Sequence, residues 1–221
     1  MNFNYKIFDD LLTEEEKDKI ESLMFKTPWG YLPNITLGNN NPNNNIKKFL
    51  KVDEYFLEKD RVGFSSDILS PLIFNEFFSP LVSKSCNAIS YKVEKIFRGN
   101  SFLQLPLQKT SSVGQIHVNR KENHLVLLYY VNDCDGDTVL FDKTFYDIPF
   151  EENYPETKYV FNELKRVTPK RGRILLFDGK IFHASSSPTN NHRCVVTFDV
   201  SGSFTNEPKN AILIKKKFTY K

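Results

Sequence analysis

The sequence predicts a mainly β domain, a sandwich or barrel, with its helices gathered toward the N-terminus. Three observations carry this. Beyond Gly99 the chain breaks into short apolar segments separated by Gly, Pro, Asn and Asp turns, a rhythm that βαβ units lack. Before Gly99, two segments keep helical spacing instead. The 221 residues include 20 Phe and 10 Tyr, aromatic content that disordered chains do not have. A chain of this length buries enough apolar surface to fold without staples. It has no internal repeat and no linker-like stretch. The expectation is one domain over 1–221, with 1–98 a helical layer and 99–221 the β core.

The first helix should start at Thr13. Its side chain can cap, and Glu16 three residues on completes a capping box. Glu14, Glu15 and Glu16 suit the positive end of the helix dipole. Ile20, Leu23 and Met24 form its apolar face, and Pro28-Trp29-Gly30 ends it. Residues 33–48 hold two Asn runs around Pro42 and read as a loop, a tolerated surface insertion in preference to a substrate lid. Ser79-Pro80 is a second helix start. Leu81, Val82, Ser85, Cys86, Ile89, Val93 and Ile96 follow at helical spacing, so this helix is expected to be long and to back a sheet. Strands are predicted over 102–108, 113–119, 125–131, 138–141, 164–167, 173–177, 181–184 and 194–200.

Composition narrows the function. Lys and Arg total 30 against 27 Asp and Glu, a net charge of +3, too small to imply a nucleic-acid partner. No run of about 18 uncharged apolar residues exists, so no membrane span is expected. The first ten residues lack the basic-then-apolar pattern of a secretory signal. Cys86, Cys134 and Cys194 are an odd set without a CxxC pair, which fits a reduced, cytoplasmic setting better than disulfides or a Cys-based zinc site. Lys215-Lys216-Lys217 reads as a solvated strand edge.

The chain has four His, and two stand in suggestive company. His117 and Asn119 are two apart on a predicted strand and face one space. His183 follows a turn, an apolar strand and a second turn, and Arg193 comes ten residues later. Each also has a bland reading, as a core histidine or an exposed strand-end charge. His124 reads as structural or exposed, and His192 as exposed. Cys134 and Cys194 read as inert thiols, and Gly136, Asp137 and Thr138 as turn residues.

A facial site of two His and one carboxylate is the arrangement of non-haem iron(II) oxygenases. The order His-x-carboxylate, distant His, then Arg about ten residues on is that of their 2-oxoglutarate-dependent members. This sequence resembles that family, in particular its prolyl-hydroxylase-like branch and small oxygenases of the kind marine phages carry. The resemblance includes Phe8 to Glu16, Leu127 to Phe141 and Val167 to Phe177, and covers nearly the whole chain in order and spacing. It implies a double-stranded β-helix, or jelly roll, with the site in the barrel mouth. It implies iron(II) held by His117 and His183, with Asn119 at the position of the third ligand, and 2-oxoglutarate as co-substrate with its far carboxylate on Arg193. A buried guanidinium matches such a carboxylate bidentately. Tyr129 or Tyr130 would hydrogen-bond the same molecule. Only one can face the barrel, and the offset from His117 favours Tyr129. The implied activity is hydroxylation of a peptidyl residue or small molecule, with release of succinate and CO2.

One position departs from the family pattern. Asn119 stands where the resemblance places Asp or Glu. Asn has nearly the same shape but no charge, and its amide oxygen is a poorer ligand for a divalent ion. Three accounts are open: Asn119 ligates weakly, or the barrel is a catalytically impaired binding module, or the substitution is peculiar to this isolate. Asp142 and Asp178 are conceivable substitutes of little weight.

Overall fold

The structure, a computed structural model, describes residues 4–32, 62–106, 113–114, 116–147 and 160–205. The expected loop over 33–48, the end of the segment expected over 102–108, and Lys215-Lys216-Lys217 lie outside these.

Ten strands form two antiparallel sheets. The larger has the order β1-β8-β5-β10-β4-β3-β2. Its strands are β1 (Tyr5–Phe8), β2 (Gly30–Leu32), β3 (Gly63–Asp67), β4 (Tyr91–Gln104), β5 (Leu125–Tyr130), β8 (Ile174–Asp178) and β10 (Arg193–Phe204). The smaller runs β7 (Glu163–Val167), β6 (Thr138–Thr144), β9 (Ile181–Ser185). Single bridges from Val113 to Ser186 and from His117 to His183 lay the segment around 113–118 along the free side of β9. It therefore sits where a strand was expected, but without a continuous ladder.

Side-chain parity divides the interior into layers. Leu125, Leu127, Tyr129 and Val131 of the β5 segment join Cys194, Val196, Phe198 and Val200 of β10 on the face that meets the helices. Val126, Leu128 and Tyr130 join Val195, Leu175, Phe177, Ile181 and Leu140 in the space between the two sheets. Val113, Ile116, Val118, Val139, Phe182 and Ala184 form a third cluster behind the smaller sheet. The central strands β5, β8 and the first part of β10 are covered on both faces, which explains their nearly unbroken apolar runs.

Helix α1 (Glu14–Lys26) begins with the capping box: Thr13 Oγ1 accepts from the Glu16 amide, and Glu16 accepts from the Thr13 amide at 2.8 Å. Ile20 and Met24 bury its apolar face. Arg171, on the turn before β8, clamps this helix to the sheet. It pairs with Glu14 and Glu21, both at 2.8 Å, and with Asp18. Gly172 in that turn has φ +84°, and the Lys17 stem lies where its Cβ would be. Glycine is required there on both counts.

The second helical region differs from expectation at both ends. A short helix α2 (Pro71–Ile73) and a π-helical turn (Phe74–Phe78) lead straight into α3 (Ser79–Asn87). Ser79 therefore continues a helix and caps nothing. The helix stops at Asn87, and Val93 and Ile96 belong to β4. β4 skips Phe97 and Glu94 in its register with β10, and these bulges space its apolar residues like a helix face. Strands β1, β2 and β3 were not expected either. Each is short and lies at or near a sheet edge, with little apolar alternation to announce it.

Arg173 donates to both oxygens of Asp9, at 2.7 and 2.9 Å, tying the entry of α1 to β8. Its hydrogen bond and charge hold the Asp9 carboxyl below the usual value. A carboxyl depressed in this way stabilises the fold above its unfolded pKa, about 3.9, and loses that contribution as pH falls through the folded value. Asp9→Asn should therefore be less stable than the native chain in urea at pH 6. The gap should close as pH falls through the depressed native value, and a gap that stays constant with pH would contradict the assignment.

Candidate active site in the barrel

His117 and His183 face each other across the bridge beside β9. The His117 amide donates to the His183 carbonyl at 3.0 Å, and the return bond is 2.9 Å. Directly opposed residues of an antiparallel pair send their side chains to the same face. The two imidazole centroids lie 4.5 Å apart. His183 also sits opposite Leu140, which faces the space between the sheets. Its Nδ1 contacts the Ile181 carbonyl at 3.0 Å, which leaves Nε2 for another partner. Burial, then the neighbouring His117, hold the His183 imidazole well below its usual pKa. It is therefore neutral near pH 7, the form that binds metal.

Asn119 lies two residues beyond His117, in a bend. Its Nδ2 donates to Oδ1 of Asp199 on β10 at 2.8 Å. Asp199 is fully buried, and its Oδ2 lies 3.2 Å from Nε of Arg98 without forming a hydrogen bond. The expectation for Asn119 considered only its own side chain. Asp199 was missed, although its signal is legible: a lone acid inside an apolar strand, six residues after Arg193 and on the same face.

Arg193 opens β10 and is buried. Nε donates to the Gly136 carbonyl at 2.8 Å, Nη1 to Gln104 Oε1 at 3.1 Å, and Nη2 to Thr138 Oγ1 at 2.9 Å. Among the described residues no carboxylate forms an ion pair with it. Burial works against its charge. A guanidinium oriented by three neutral acceptors, with its charge unmatched, is a site for an anion from outside. Thr138 and Gly136, expected only to shape the turn, thus also orient Arg193.

The tyrosines reverse the expected preference. Tyr129 packs among the helix-facing residues, whereas Tyr130 lies between the sheets with the Arg193 guanidinium 5.9 Å from its ring centre. Tyr130 pairs with Val195, whose parity is that of Arg193, and this settles its face. Its hydroxyl is buried beside the Thr138 side chain; burial pushes its pKa up to about 12.

The remaining candidates are accounted for. His124 is buried; its Nδ1 meets the Glu122 carbonyl at 2.8 Å, and its ring fills the space over Gly179. The exposed alternative for His124 is thus excluded. Asp142 binds Asn162, and Asp178 accepts from the Lys180 amide, so both carboxylates are engaged elsewhere. Burial pushes the Cys194 thiol up to about 12, which makes it unreactive. Among the described residues, no three His, Cys, Asp or Glu side chains cluster closely enough to hold a metal by themselves. No described helix is long and apolar enough to cross a membrane.

No family model matches the chain, and no curated protein matches it. Solved structures do share its fold. One is an oxidoreductase of the 2OG-Fe(II) oxygenase family from Burkholderia pseudomallei, 12% identical, TM-score 0.57, covering 92% of this chain and 89% of that one. A second is a prolyl hydroxylase from Trichoplax adhaerens in complex with a peptide fragment, 14% identical, TM-score 0.53, covering 90% and 84%. A third is HygX from Streptomyces hygroscopicus with nickel, 2-oxoglutarate and hygromycin B bound, 11% identical, TM-score 0.53, covering 91% and 84%. The chain therefore has the jelly-roll fold on which 2-oxoglutarate-dependent oxygenases are built.

The unmatched charge of Arg193 makes a prediction that needs no metal. Succinate at about 100 times its dissociation constant should raise the unfolding free energy of the native chain by about 2.7 kcal/mol in urea. Arg193→Met should show no rise; an equal rise in both proteins would place the anion elsewhere.

Proposed function

We propose that this chain is an iron(II)- and 2-oxoglutarate-dependent oxygenase that hydroxylates an unactivated C–H bond of a peptidyl residue or a small molecule. The observation that carries the reading is the coexistence, on one barrel, of two facing imidazoles and a buried guanidinium whose charge has no carboxylate partner among the described residues. A purely structural barrel has no use for an uncompensated buried Arg, which costs stability. The shared fold supports the same reading.

The residues fit the two groups. His117 and His183 would hold the metal, His183 through Nε2 because Nδ1 is engaged by the Ile181 carbonyl. Asn119 would offer its amide oxygen as the third ligand. When bound, iron would supply the oxidising chemistry with dioxygen as the oxidant: one oxygen atom would go to the succinate formed with CO2 from 2-oxoglutarate, and the other would enter the substrate. The protein's part is binding and orientation. Arg193 would hold the distal carboxylate bidentately, kept in aim by Gly136, Gln104 and Thr138. Tyr130, whose ring lies beside the Arg193 guanidinium, would donate its hydroxyl to the same carboxylate. Val126, Leu128, Leu175 and Phe177 line the barrel and exclude water from it.

The test is an anaerobic titration with iron(II) and 2-oxoglutarate, watched for the visible charge-transfer band of the chelate. The native chain should develop the band. His183→Ala should abolish it, and Arg193→Met should shift it to at least about tenfold higher 2-oxoglutarate, because a charge-assisted contact is lost. No band in the native chain would contradict the proposal and leave a barrel that only binds.

A further inference from the structure

Asn119 lacks the charge that a divalent ion would want beside it, yet a carboxylate lies one hydrogen bond away. Asp199 reaches that place from β10, on the face it shares with Arg193, Val195 and Thr197. A carboxylate can only accept, so it draws the amide nitrogen of Asn119 toward itself. Oδ1 of Asn119 then points away from Asp199, and no described residue donates to it. Asp199 is itself anchored, since Arg98, opposite it on β4, approaches its second oxygen.

We propose that Asp199, itself paired with Arg98, is a positioning residue of the metal centre: it holds Asn119 by Nδ2 and so presents Oδ1 to the ion. This rests on the oxygenase reading above. Such outer partners commonly control metal affinity 10- to 100-fold by fixing the orientation of the ligand they touch. The arrangement amounts to an exchange of roles between two positions. The amide stands where the carboxylate is expected, and the carboxylate stands behind it.

The exchange has a consequence that a simple repair of the motif would not predict. Asn119→Asp alone sets two carboxylates at hydrogen-bond distance, where they repel each other or hold a shared proton that competes with the ion. Adding Asp199→Asn restores one donor, one acceptor and the original total charge.

The experiment measures Mn(II) affinity from the free-ion electron paramagnetic resonance signal, using the full chain. It compares the native protein with Asp199→Asn, Asn119→Asp and the double variant, each checked for folding by circular dichroism. The proposal expects about 10- to 100-fold weaker binding in Asp199→Asn. It also expects the double variant to bind at least about tenfold more tightly than Asn119→Asp. If Asp199→Asn does not fold, the comparison of the double variant with Asn119→Asp decides by itself. Native-like affinity in a folded Asp199→Asn, or a double variant no tighter than Asn119→Asp, would overturn the role of Asp199 while leaving the metal centre standing. Absence of Mn(II) binding in all four proteins would overturn the metal centre itself, and this role with it.

Discussion

Strand β10 is the constraint on which the rest depends. It lies between β4 and β5, and every residue from Arg193 to Val200 is buried. A strand covered on both faces leaves no solvent to satisfy its polar side chains, so each must find a partner inside the protein. Cys194, Val196, Phe198 and Val200 need none and meet the helices. Arg193 and Asp199 point the other way and need partners of opposite kinds. Arg193 takes three neutral acceptors and keeps its charge unmatched. Asp199 takes an amide from Asn119 and the approach of Arg98. The chemistry proposed for the barrel follows from how these two charges are accommodated.

The second sheet supplies what the first cannot. Its edge strand β9 presents His183, and a segment held by two isolated bridges presents His117 beside it. Reciprocal backbone bonds between the two histidines set their backbones opposite each other, and the Ile181 carbonyl orients the His183 ring. Asn119 then spans the gap between the sheets by bonding Asp199, so a single amide links the imidazole pair to β10. The outer clamp works on a different scale. Arg171 and Arg173 hold α1 and its entry against the end of β8, and the helices in turn cover the back of the large sheet.

Much of this was legible in the residues. The strands from β5 to β10 announce themselves because their apolar runs are bounded by strong turn residues, and the capping box at Thr13 fixed the start of α1. His117, His183 and Arg193 were singled out by their order and spacing together with the resemblance to 2-oxoglutarate-dependent oxygenases. Other features were hidden for physical reasons. The run from Leu125 to Tyr130 is buried on both faces, so polarity cannot say which tyrosine turns inward; only the register with Val195 can. The bulges of β4 gave Ile89, Val93 and Ile96 a helical period that the backbone does not follow. The partnership of Asn119 with Asp199 joins residues 80 apart in sequence, and no local pattern encodes it.

The central claim is that one barrel holds a metal at the histidine pair and a dicarboxylate at Arg193. A crystal structure of the protein grown with Mn(II) and 2-oxoglutarate, with the anomalous signal of manganese recorded, tests it most directly. The account predicts one anomalous peak within roughly 2.0–2.3 Å of His117, His183 and the Asn119 oxygen, with the far carboxylate of 2-oxoglutarate on Arg193 and Tyr130. A peak away from the histidines, or 2-oxoglutarate bound without touching Arg193, would contradict it.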